Sequence, residues 1–137
     1  MLLVDTNVVG NLLLDGAQGP SARALYAKDA NWISEPLLFL ELTNVLATAL
    51  RQKRLSSTQA ESALARAHEI LDGYVHLTSD SQVLAVAARY GISGYDARFV
   101  CVALEIGSPL VTEDAGLRLK VPGATCSVAQ ALAASSA

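Results

Sequence analysis

Leu2-Leu3-Val4-Asp5-Thr6-Asn7 decides the fold: three apolar residues run into a carboxylate almost as soon as the sequence starts. A short apolar run ended by Asp reads as a buried strand with an acid at its carboxyl end, the edge of an open α/β sheet where ligands bind. The same pattern returns at Pro109-Leu110-Val111-Thr112-Glu113-Asp114. Two more acids interrupt apolar surroundings: Glu41 within Leu37-Leu38-Phe39-Leu40-Glu41-Leu42, and Asp96 ahead of the apolar segment Ala97 to Ile106. Buried carboxylates gathered in one cleft do not all stay ionised unless a cation compensates them. Asp5, Glu41, Asp96 and Asp114 therefore point to a divalent metal site, with Mg2+ or Mn2+ favoured because hard cations take oxygen ligands.

Working outward, short β-like runs alternate with longer helical patterns, which argues for a parallel α/β sandwich. After the strand Leu2 to Val4, helices are predicted over Val8 to Leu14 and Pro20 to Lys28, then a strand over Asn31 to Ile33. Ser34 reads as the N-cap of a helix running to about Arg51, with Pro36 in its first turn. Thr58 with Glu61 resembles a capping box, with Ser57 a rival cap, ahead of a helix to Leu71 that Gly73 closes. Tyr74 to Leu77 is the next predicted strand, followed by helices over Ser81 to Tyr90 and Asp96 to Ile106, closed by Gly91 and Gly107. Leu110 to Thr112 and a weaker Ala124 to Ser127 complete about four or five parallel strands with helices on both faces.

The 137 residues have the size of a single domain, residues 1–137, with about 128–137 an Ala-Ser-rich tail expected to be weakly ordered. Hydrophobic residues make up 52% of the chain, a supply rich enough to hint at an apolar surface for self-association or a partner. No segment approaches the roughly 20 apolar residues of a membrane span, and no basic region precedes Asp5. Cys101 and Cys126 show no framework logic and read as reduced thiols of a cytoplasmic protein. The net charge of −3 does not exclude a polyanionic ligand, since ten Lys and Arg against the nine acids outside the constellation leave +1. Arg51-Gln52-Lys53-Arg54 is the dense basic cluster, read either as a solvated helix end or as a contact for substrate. Arg118 and Lys120 form a smaller one.

Val4-Asp5-Thr6-Asn7, Glu41 in the helix after the second strand, Tyr95-Asp96-Ala97, and Leu110-Val111-Thr112-Glu113-Asp114 together resemble a PIN domain, closest to the VapC-type toxin ribonucleases of toxin–antitoxin pairs. The resemblance covers nearly the whole chain. It implies a PIN-like three-layer α/β/α sandwich and a metal-dependent endoribonuclease that hydrolyses RNA phosphodiesters with a metal-activated water. Asp5, Glu41, Asp96 and Asp114 would hold one or two Mg2+ or Mn2+ ions, Glu41 directly or through water. Asn7 and Thr112 would orient the carboxylates and Thr6 would support the turn, while Asn44 shares the Glu41 face at helical spacing. An RNA substrate, a cognate antitoxin and a homodimer are the implied partners, and Arg98, Arg51, Lys53 and Arg54 are candidate substrate contacts. The chain departs from many relatives in carrying Ala115-Gly116 directly after Asp114, which puts a second metal ion in question.

Each acid also has a structural reading. Asp5 and Asp114 suit a cap or turn, Asp96 suits a helix N-terminus, and Glu41 with Asn44 and Thr48 forms a stripe that solvent could face. Leu37 on that stripe argues against the last, and four such coincidences together favour the metal site. Trp32 reads as core, His68 and His76 occupy no recognisable site, and Arg98 reads as a phosphate contact or a partner of Glu105. Three other functions compete: a stand-alone PIN nuclease in RNA processing, a non-catalytic PIN interaction module, and a haloacid-dehalogenase-type phosphatase. The phosphatase needs a second Asp two residues after the first, where this chain has Asn7. Intact acids at all four positions argue against the non-catalytic module.

Overall fold

Strand β1 (Leu2–Val4) is the middle of the molecule because Leu3 and Val4 are fully buried and need a neighbour on each edge and each face. The computed structural model describes residues 1–71 and 75–134, and within them β1 joins β2 (Trp32–Ile33), β3 (Leu110–Val111) and β4 (Thr125–Cys126) in one parallel sheet of order β2-β1-β3-β4. Leu3 pairs with Ile33 on one side and with Leu110 on the other. Helices cover both faces, as the α/β/α expectation requires.

The connections decide where a site can form. From β1 the chain passes through α1 (Thr6–Leu13) and α2 (Gly19–Lys28) to β2 on one flank. It then runs through α3 (Leu37–Arg51), α4 (Ser57–Leu71), α5 (Asp80–Tyr90) and α6 (Gly94–Ile106) before entering β3 on the opposite flank of β1. The strand order thus reverses between β1 and β3, and a crevice opens outside their carboxyl ends. Helix α7 (Ala115–Lys120), β4 and α8 (Val128–Ala133) complete the chain.

Several local expectations are corrected. Ser34 does not cap α3: its hydroxyl donates to the Val4 carbonyl at 2.6 Å, and the Glu35 carboxylate accepts the Leu37 N–H at 2.6 Å instead. The capping box of α4 is formed by Ser56 and Gln59 rather than Thr58 and Glu61, through reciprocal bonds of 3.1 and 2.9 Å. Helix α6 begins two residues before Asp96, with Ser93 as its cap. The strand expected over Tyr74 to Leu77 is, in its described part, one parallel bridge between Val75 and Ser34, beside which the His76 N–H donates to the Ser34 carbonyl at 2.8 Å; Gly73 and Tyr74 lie outside the described residues. Two helices went unforeseen, α7 and α8, the latter within the segment expected to form the tail. Gly91 and Gly107 do close α5 and α6 in the left-handed conformation that favours glycine.

Trp32 is core as expected, with its indole N–H donating to the Asp29 carbonyl at 2.8 Å and its ring edge-on to Tyr26. Both cysteines are free thiols. Among the described residues no helix is long and apolar enough to cross a membrane.

Candidate active site

A cavity of about 510 Å3 opens at the β1/β3 reversal, and Asp5, Glu41, Asp96 and Asp114 all line it. Each arrives on a different element. Asp5 ends β1 and caps α1, accepting the Val8 N–H at 3.1 Å. Asp114 follows β3 and caps α7, accepting the Leu117 N–H at 3.0 Å. Glu41 projects from the second turn of α3, where its polar stripe meets the cavity rather than the core. Asp96 lies in the first turn of α6. The capping readings of Asp5 and Asp114 and the helix-N-terminus reading of Asp96 are therefore true as local statements, and the same residues still face one cavity.

Thr112 and Thr6 tie these acids together. The hydroxyl of buried Thr112 lies beside the Asp5 carboxylate and favours its charged form, and the same oxygen accepts the Asp114 N–H at 3.1 Å. The Thr6 hydroxyl donates to Glu41 at 2.8 Å, which is a more direct part than supporting the turn. Asn7 and Asn44 also line the cavity.

Electrostatics reflect the crowding. Burial pushes the Asp5 carboxyl up from 3.8 to about 6; the bonds from Thr112 and Val8 oppose this, and the charges of Glu41 and Asp114 add to it. Asp96 is also raised, first by burial and then by Asp114, with Lys120 pulling the other way. A hard divalent cation suits this donor set by chemistry, since the acidic lining is all carboxylate and its mutual repulsion is what such an ion offsets. Among the described residues, however, no three His, Cys, Asp or Glu side chains stand close enough to hold an ion as they lie.

The basic candidates are placed elsewhere. Arg98 is held by two carboxylates, Glu35 at 3.6 Å and Asp80 at 2.7 Å, and does not line the cavity, so neither a free phosphate contact nor the pairing with Glu105 is found. Glu105 pairs with His76 at 2.6 Å instead. Arg51, Lys53 and Arg54 are exposed at the end of α3; ten residues separate Arg51 from Glu41, roughly 15 Å along a helix axis. The cavity also has members that sequence reasoning passed over. Leu40 and Tyr95 are largely exposed at its rim, and an exposed leucine beside an inward acid is the signal that could have found the first.

Comparison with known proteins follows the same outline. A family model described as the PIN domain matches residues 2–120. No curated protein sequence matches significantly. Among solved structures, that of PAE2754 from Pyrobaculum aerophilum superposes with a TM-score of 0.74 at 22% identity, covering 96% of this chain and 91% of that one. FitAcB from Neisseria gonorrhoeae superposes with a TM-score of 0.67 at 16% identity, covering 93% and 96%. At such identities these two likenesses are statements about fold.

Proposed function

The chain belongs to the PIN-domain family, and from that premise we propose that it is a Mg2+- or Mn2+-dependent endoribonuclease, the VapC-like toxin of a type II toxin–antitoxin pair. The observation that carries this reading is the convergence of four carboxylates from four separate elements on one cavity at the strand reversal. Residues 1–137 are taken as a single PIN domain, supported by a main core cluster that extends from Leu3 to Ala131, with a small second cluster of Val83, Ala97 and Cys101 beside it.

In this reading Asp5, Asp96 and Asp114 would hold one or two ions, with Glu41 joining directly or through water. A bound divalent ion supplies Lewis acidity towards water and phosphate. The chain does the rest: Thr112 fixes the Asp114 turn beside Asp5, Thr6 fixes Glu41, and Asn7 and Asn44 offer neutral polar contacts beside the acids. Histidine is not required as an acid or base, consistent with His76 being bonded to Glu105 and His68 stacked on Phe39. A cognate antitoxin would cover the acidic cavity, and a homodimer would extend the surface offered to RNA. Arg51, Lys53 and Arg54 then serve as distant backbone contacts rather than members of the site.

The test is cleavage of end-labelled cellular RNA by the purified protein with Mg2+, Mn2+ or EDTA, alongside Asp5→Asn. Discrete products that need metal and vanish in the variant are expected. Equal products from both proteins would reject the role of Asp5. The toxin assignment has its own check: a small DNA-binding-type reading frame directly upstream, with growth arrest on expression of this chain alone. A solitary, harmless gene would leave a stand-alone PIN nuclease.

A further inference from the structure

A second cavity, of about 400 Å3, adjoins the acidic one and shares Asn7 and Asp114 with it. Its remaining lining is Asn11, Ala17, Gln18 and Glu113. The volume lies in the range of small-ligand pockets. Asn7 and Asn11 are one turn apart on α1, so a single helix face leads from the acid site into this space. Across it, Gln18 stands at the N-cap position of α2 yet makes no side-chain capping bond. Gly19 lets α2 begin this close, since a Cβ there would stand 3.4 Å from the Asn11 carbonyl oxygen and 2.8 Å from the Arg23 guanidinium. The amides meet: Asn11 Nδ2 donates to Gln18 Oε1 at 3.2 Å.

The chemistry of this lining selects a class of ligand. Among the described residues its lining includes no Lys, Arg or His, the Arg23 guanidinium standing at Gly19 outside it, and Glu113 and Asp114 disfavour an anion, so a neutral group rather than a phosphate is what it receives. Glu113 is partly engaged, accepting the Val128 N–H at 2.8 Å. The amide pair is neutral, and beyond its mutual bond it retains the Asn11 oxygen, the second Asn11 N–H and the Gln18 amino group. Donors and acceptors in that combination match the edge of an unpaired base, the feature by which single-stranded RNA is read in sequence. We infer that this cavity seats the base of the nucleotide next to the scissile phosphate and that Asn11 and Gln18 select it. The inference rests on the ribonuclease reading above and assigns it a specificity site.

The experiment uses a single-stranded RNA library randomised around the cleaved bond, with the wild-type protein, Asn11→Ala and Gln18→Ala. Equilibrium binding of the same RNAs is measured in EDTA. An amide contact to a base edge is worth on the order of tenfold in discrimination, so both variants should flatten the preference at one position beside the cut by about that factor. If the wild type cuts RNA and both variants keep its base preference, the specificity site is overturned while the nuclease stands. If the wild type binds without cutting, the binding preferences decide the site and the nuclease reading fails separately. If it neither binds nor cuts RNA, both are overturned.

Discussion

The Asp5 carboxyl is held up at about 6 chiefly because protein replaces water around it, which gives a pH dependence of definite sign. A folded-state pKa above the unfolded value near 3.8 means that folding favours the protonated acid. Its contribution is fully present below pH 4 and is lost as pH rises through 6. The loss amounts to about 1.36 kcal/mol for each pH unit between those two values, reduced by the partial exposure of the group. In EDTA at pH 7.5, Asp5→Asn should therefore be more stable than the wild type by about 1–2 kcal/mol, a rise of about 3 °C or more in melting temperature. Asn preserves an acceptor for the Val8 N–H, and the difference should close near pH 4. Equal melting of the two proteins at both pH values would remove the electrostatic account of Asp5. Mg2+ should raise the wild-type melting temperature more than that of the variant. These acids were legible in the sequence because a charge at the end of an apolar run violates its surroundings. Glu35 was not: it is 2% exposed, but Ser34 and Pro36 beside it offered a simpler cap-and-turn reading.

At the scale of elements, the ion pair that sequence reasoning missed links two acid-bearing helices. Glu35 stands just ahead of α3, six residues before Glu41, and Arg98 follows Asp96 on α6. Arg98→Ala would leave a buried carboxylate without its cation. It should destabilise the protein by about 2–3 kcal/mol in chemical denaturation, less than for a fully buried pair because Arg98 is partly exposed. Adding Glu35→Gln, which keeps an acceptor for the Leu37 N–H, should recover part of that loss, and no recovery would show that Arg98 acts through Asp80 alone. The end of α3 carries a different strain. Lys53 has φ of +57°, a conformation natural to glycine, so Lys53→Gly should stabilise by about 0.5–1 kcal/mol despite removing a basic side chain. Other element boundaries were ambiguous on paper. Ser56-x-x-Gln59 and Thr58-x-x-Glu61 both satisfy a capping box, and only packing, with Ala60 and Ala63 turned inward, selects the first. Helix α8 had its own signal in Ser127 and Gln130, outweighed by the bias of the Ala-Ser composition around it.

Across the whole molecule, the segment beyond the family match is tied into the same core. Strand β4 pairs with β3 through Leu110–Thr125 and Val111–Cys126, and the Leu110 and Thr112 N–H groups donate to the Ala124 and Cys126 carbonyls. Val128 and Ala131 are buried, while Lys28 on α2 donates to the carbonyls of Ala131, Leu132 and Ala134 at the end of α8. Glu113, adjoining the acidic cavity, accepts the first N–H of α8. Removing residues 121–137 would thus leave one edge of β3 unpaired, expose the face of α2 that α8 covers and loosen the turn that presents Asp114. A chain ending at Lys120 should lose cooperative thermal unfolding even though it retains all four acids. A chain ending at Ala134 keeps every one of the contacts just named and should melt in one transition. Calorimetry separates the outcomes: if the shorter chain still unfolds in a single transition at a similar temperature, residues 121–134 are an appendage and the single-domain reading of 1–137 fails.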